Sequence, residues 1–159
     1  MMETAPFRIT EEAYQQMVAS LKKESPREAC GFLAGRHGIA DRFYPLDNLN
    51  GQLKDFFLDA GHVRRTEISI HRRNQQIMAL CHSHPTGVCP SRSVGYPARF
   101  LDPDLGWPAW LDGYYLIARF PEESDAEVRC YRLVIGVSVD EIPLVREPLQ
   151  GCGSSRAVK

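Results

Sequence analysis

Ile77-Met78-Ala79-Leu80-Cys81-His82-Ser83-His84-Pro85 is the stretch on which the architecture turns. Its five opening residues are all apolar, without the polar alternation of a half-exposed strand, and so describe a buried central strand. The run hands the chain directly to two histidines and a proline. Residues two apart on a strand project to the same face, so the imidazoles of His82 and His84 reach toward one point. Pro85 has no N–H to give a ladder and ends the strand, leaving the histidines at the sheet's C-terminal edge, where α/β proteins commonly open clefts. Alone, an H-x-H pair reads first as a hydrogen-bonded strand end.

Upstream, Thr10 precedes Glu11 and Glu12, a capping hydroxyl with two acids at a helix start, and Tyr14, Met17, Val18 and Leu21 repeat at helical spacing. That predicts an amphipathic helix ending near Glu24, Ser25 and Pro26. Cys30–Gly35 and Ile39–Leu46, joined by His37 and Gly38, read as a β-hairpin. Phe56–Leu58 reads as a short strand, and Gly61–Gln75 as a helix with Val63 and Ile70 on one stripe and Ile68 off it. The proline-rich Thr86–Trp110 allows only a short helix, starting near Pro97. Tyr114–Phe120, Glu127–Val137 and Ile142–Leu149 are expected strands. The expected fold is therefore α/β: a mixed, curved β-sheet flanked by helices, one domain over 1–150, with Gly151–Lys159 as a flexible tail.

Composition excludes several functions. The 159 residues carry 19 Lys and Arg against 20 Asp and Glu, a net charge of −1, so no global field attracts nucleic acid. At 43% hydrophobic and 25% charged the chain has the composition of a globular domain rather than of a disordered one. No stretch approaches the ~18 continuous apolar residues of a membrane span, and Met1–Arg8 has no apolar leader core. The five cysteines, Cys30, Cys81, Cys89, Cys130 and Cys152, are odd in number and form no C-x-x-C pair. Reduced thiols packed in apolar runs and a cytoplasmic location are the expectation.

Pro26-Arg27-Glu28-Ala29-Cys30-Gly31-Phe32-Leu33-Ala34-Gly35, followed far downstream by His82-Ser83-His84-Pro85 and then Pro90-Ser91, resembles the JAMM (MPN+) metalloprotease family. That family couples P-x-E-x-C-G-x-L-x-G to H-x-H-P and a later Ser and Asp, and the ordered pair of motifs is far more specific than either alone. Asn48 and Phe56-Phe57-Leu58-Asp59-Ala60 also sit where the family places an Asn and an aromatic-rich strand. The resemblance spans about residues 5 to 120 and implies a zinc peptidase or isopeptidase. His82 and His84 would be zinc ligands and Glu28 the base that takes a proton from the attacking water. Ser91 would donate to the oxyanion of the tetrahedral intermediate, a contribution of about 3 kcal/mol for a well-placed donor. Small single-domain bacterial members act on C-terminal tails of ubiquitin-like sulfur-carrier proteins, which makes such a carrier the expected partner; an extended tail suits strand addition at a sheet edge.

The chain departs from the family at one ligand. Five residues rather than six separate Pro85 from Ser91, and three residues beyond Ser91 stands Val94 in place of the expected aspartate. Valine binds no metal, and two imidazoles hold zinc more weakly than three protein ligands. Cys89, Asp102 and Asp104 are the substitutes within reach; Asp102 needs Gly95 and Pro97 to break any helix between. The competing expectation is a catalytically silent MPN-type scaffold that binds a partner with weak or no metal. A zinc deaminase is excluded, because neither H-x-E nor P-C-x-x-C occurs. Arg64, Arg65, Arg72 and Arg73 form two basic pairs on the second expected helix, which reads as a solvated face or a stripe for an acidic partner. His37, His62 and His71 read as structural or surface residues. Cys81 is not a nucleophile partnered with His82, since neighbours on a strand face opposite ways. Trp107 and Trp110 read as the packing of a loop lid.

Overall fold

The computed structural model describes residues 4–47, 59–84, 113–134 and 138–148. In chain order these form β1 (Phe7–Thr10), α1 (Glu11–Lys23), β2 (Cys30–Arg36), β3 (Ile39–Leu46), α2 (Ala60–Arg72), β4 (Gln76–Ser83), β5 (Gly113–Arg119), β6 (Glu127–Val134), β7 (Ser138–Ile142) and β8 (Leu144–Glu147). The expected short strand at 56–58, the helix near Pro97 and the tail from 151 lie outside the described residues.

The local signals act as the chemistry of their residues requires. The Thr10 hydroxyl accepts from the Ala13 N–H at 3.1 Å and starts α1. His37 and Gly38 both take positive φ, 57° and 77°, the two-residue turn whose twist matches a hairpin. Gly31 allows β2 to lie close to β3, since a Cβ there would stand 2.6 Å from the Tyr44 carbonyl oxygen.

The strands form one sheet in the order β7-β6-β5-β4-β2-β3-β1-β8. β4 runs parallel to β5 and antiparallel to β2, so the sheet is mixed. Between β2 and β4 the register jumps from Leu33↔Ala79 to Ala34↔Ile77, a bulge that leaves out Met78 and bends the sheet. Alternation along β4 then feeds two cores. Ala79 and Cys81 join Met17, Leu21, Leu33 and Phe43 under α1, while Leu80 joins Phe32, Tyr44 and Ile70 under α2. The helices thus cover opposite faces, and the sequence reading of the class holds.

Three boundaries differ from expectation. α2 ends at Arg72, not Gln75: Asn74 takes a positive φ of 56°, and Gln75 turns inward to donate to Asp41 at 2.6 Å and to accept from the Tyr44 hydroxyl. The expected strand over 127–137 is β6, described as far as Val134, and an unexpected strand, β7, begins at Ser138 and pairs antiparallel with it. Ile142 closes β7 rather than opening the last strand; Pro143 separates it from β8, which crosses to the far edge and pairs in parallel with β1. β1 itself carries no sequence signal beyond Phe7 and Ile9, both buried. Four residues are too few for a pattern, and only pairing with β3 and β8 defines the strand.

Candidate functional site

The site is built where β4 ends beside the start of β2. Cys30 lies opposite His82 in the ladder, and His82 lies opposite Ile117 on β5, so the imidazole enters the α2 side of the sheet between two buried neighbours. The pairing continues past the strand ends. The Ser83 N–H donates to the Ala29 carbonyl at 2.9 Å, the Ala29 N–H donates to the Ser83 hydroxyl oxygen at 2.9 Å, and the His84 N–H donates to the Ala118 carbonyl at 2.8 Å. Glu28 immediately precedes Ala29 and so stands at the same end of the sheet as that last pair. Glu28 is buried, at 6% exposure, which is unusual for a carboxylate and demands nearby polar or ionic company.

The two imidazoles converge. Their Nε2 atoms stand 2.9 Å apart and their ring centroids 4.9 Å apart. Both rings are held neutral by burial: desolvation lowers His84 to about 4 and drives His82 well below the ordinary histidine range, with His84 adding to the effect on His82. Neutral imidazole is the metal-binding form. Two nitrogens on a tetrahedral zinc, at ~2.0–2.1 Å each, are about 3.3 Å apart. The observed spacing meets that with a few tenths of an ångström of side-chain movement, so the donor pair fits a cation of this kind. Among the described residues no group of three His, Cys, Asp or Glu side chains comes together as a complete set of protein ligands.

Around this pair the surroundings suppress competing chemistry. Burial raises the Cys30 and Cys81 thiols, and Cys30 donates to the Leu46 carbonyl at 3.8 Å, so neither is a thiolate nucleophile. Cys81 sits in the α1-side core, on the opposite face from His82, as strand geometry requires. A cleft of about 350 Å³ opens next to Glu28, lined by Glu24, Arg27, Glu28, Cys30, Leu46 and Asp47. His62 is structural: it occupies the first turn of α2, where its Nδ1 accepts from the Asp47 N–H at 3.1 Å and fixes that helix to the rim of the cleft.

Glu28, His82 and His84 are thus gathered at one end of the sheet. Ser91, Val94, the substitute ligands Cys89, Asp102 and Asp104, and Asn48, Trp107 and Trp110 lie outside the described residues. The sequence reading missed Ser83, whose hydroxyl holds the Glu28 segment in register. Its position between the histidines, facing away from them, was the available signal.

Comparisons with known proteins identify the family and agree with the fold. A family model for prokaryotic homologs of the JAB domain matches residues 10–93. The chain is 27% identical over 127 residues to a CysO-cysteine peptidase of Mycobacterium bovis, covering 79% of this chain and 81% of that one, and equally so to the Mycobacterium tuberculosis protein of that name. In structure it resembles a Desulfitobacterium hafniense protein at a TM-score of 0.70 and 23% identity, covering 89% of this chain and 92% of the other. It also resembles a JAB1/MPN domain protein of Archaeoglobus fulgidus at a TM-score of 0.53 and 17% identity, with 87% and 99% covered.

Proposed function

The chain belongs to the prokaryotic homologs of the JAB domain, and from that premise we propose that it is a zinc metallopeptidase hydrolysing an amide bond at the C-terminal tail of a ubiquitin-like sulfur-carrier protein. The carrying observation is the convergence of two buried, neutral imidazole Nε2 atoms 2.9 Å apart beside a buried carboxylate. The peptidase named for CysO-cysteine, at 27% identity, supports the substrate class.

His82 and His84 are the residues that would hold the metal. Zinc, when bound, supplies a Lewis acid that lowers the pKa of water and polarises a carbonyl. Glu28, kept from bulk solvent, accepts the proton of the attacking water and passes it to the departing amine. The Ser83–Ala29 clamp holds Glu28 against the histidine strand, so this transfer needs no rearrangement. Ser91 donates to the developing oxyanion. The β4–β5 hydrogen bond of His84 fixes the second imidazole to the sheet rather than to a loop. A cytoplasmic setting accords with the free thiols of Cys30, Cys81 and Cys130.

The test uses the full chain with a CysO–cysteine adduct, following release of cysteine. Release that stops on chelation and returns with added zinc is the expected result; release indifferent to chelation overturns the metal, and no release overturns the activity. A scaffold without catalysis is the second reading, favoured by Val94 at the expected aspartate position. Zinc below about a tenth of an equivalent per chain, unrecovered on adding zinc, would establish it.

A further inference from the structure

The outward face of α2 is a cationic surface built around one apolar residue. At about 100° per residue, Arg64, Arg65, Ile68, His71 and Arg72 share an arc of about 120°, opposite Val63, Thr66 and Ile70, which pack inward. Arg73 falls off this arc as the C-cap residue. Ile68 is 40% exposed and, with Val145, one of two large exposed apolar side chains among the described residues. The four arginines of the 60–73 segment face a single acid, Glu67, in a chain whose net charge is −1.

Local stability does not account for this. Four arginines elsewhere among the described residues are matched by acids: Arg8 faces Glu147, Arg119 faces Glu127, Arg129 faces Glu141 and Arg146 faces Glu11, while Arg42 lies over the Tyr44 ring. None of Arg64, Arg65, Arg72 and Arg73 has an ion-pair partner among the described residues. α1 places acids in its first turn and lysines in its last, whereas the first turn of α2 has no acid. An apolar centre ringed by arginines is the composition of a protein-docking patch. The helix is also aimed at the site: His62, in its first turn, is bonded to Asp47, which lines the same cleft as Glu28. From Arg64 to Arg72 the patch runs about 12 Å away from that rim.

We infer that the Arg64–Ile68–Arg72 face of α2 docks the folded body of the carrier protein, through an acidic surface with an apolar centre, while the carrier's tail enters the site. The inference rests on the carrier being the substrate, and it assigns the recognition of the folded partner to a helix that takes no part in the chemistry. Complementary charge speeds the encounter and sets its register, and Ile68 supplies the desolvated centre.

The experiment reads binding apart from turnover. Fluorescently labelled CysO without its added cysteine, which offers no bond to cut, is titrated with the full chain. Binding should weaken with salt, and should fall about tenfold or more in Arg64→Glu/Arg65→Glu and in Ile68→Ser. Both arginines are exposed on the helix surface, so the charge-reversed variant should melt close to the wild type. With the CysO–cysteine adduct as substrate these variants should raise KM at constant kcat and leave hydrolysis of a short tail peptide unchanged. Wild-type affinity for CysO retained in either variant overturns the proposal, as does wild-type chain that does not bind. Equal binding of an RNA homopolymer, insensitive to Ile68→Ser, overturns it in favour of a general polyanion surface; a dimer that Ile68→Ser dissociates overturns it in favour of a second copy. Cleavage unaltered in the variants removes the docking face and leaves the peptidase, whereas α2-dependent binding without cleavage removes the peptidase and leaves the docking face.

Discussion

Ala29 and Ser83 are joined twice, once through the Ser83 N–H on the Ala29 carbonyl and once through the Ala29 N–H on the Ser83 hydroxyl oxygen, each at 2.9 Å. Both residues are buried, so these bonds are shielded from water and extend the sheet to the very residues that the proposed chemistry uses. They convert a strand end, which would otherwise fray, into a fixed mount for Glu28.

Ser83→Ala should therefore do two things. It leaves the Ala29 N–H buried without its side-chain acceptor, which costs about 1–3 kcal/mol of stability, read by urea denaturation. It should also lower kcat with zinc content unchanged, because the base loses its register. Unaltered stability would show that another acceptor takes over.

Glu28→Gln keeps the shape of the side chain and removes its basicity. Hydrolysis should fall by about 10²–10⁴-fold with no loss of bound zinc, measured by elemental analysis alongside cysteine release. Activity equal to the wild type would mean that another group deprotonates the water.

Val94→Asp should raise zinc affinity by restoring a third oxygen ligand where the family pattern expects one. Competition with a fluorescent chelator reads the change. No gain would show that the segment after Pro85 is built in a different register.

Acid should destabilise the chelator-treated chain within a defined window. His84 is depressed from 6.5 to about 4 by burial, and His82 is lowered by burial and by His84. Below about pH 6.5 the unfolded chain takes up protons that the folded chain refuses, so stability falls as pH drops toward 4. Urea midpoints across this range should show the slope, and His84→Gln should flatten it. An equal slope in the variant would place the titration elsewhere.

Much of this was legible in one dimension because the signals were local. Thr10 caps the helix that its hydroxyl predicts, His37 and Gly38 make the turn their dipeptide allows, and the Ile77–Cys81 run forms a central strand buried at Ala79, Leu80 and Cys81. The missed pieces are those without a local signature. β1 is four residues long, Gly136 is the only turn residue in the sequence between β6 and β7, and Gln75 leaves its helix to satisfy Asp41 and accept from Tyr44 across the sheet.

For the site, sequence alone determined the pairing of His82 and His84 on one strand face, because the two-residue period of a strand is a covalent property. It also determined that Cys81 faces away from them, and the resemblance of two motifs to the family pattern is what pairs Glu28 with them. Only the tertiary structure decided how the carboxylate is brought there: an antiparallel register between β2 and β4, separated by 39 residues of chain, locked by Ser83 onto Ala29. Only it decided that burial holds both imidazoles neutral, and that α2 turns three arginines and Ile68 outward on one face. Desolvation and strand register are properties of assembled neighbours, and no stretch of residues carries them alone.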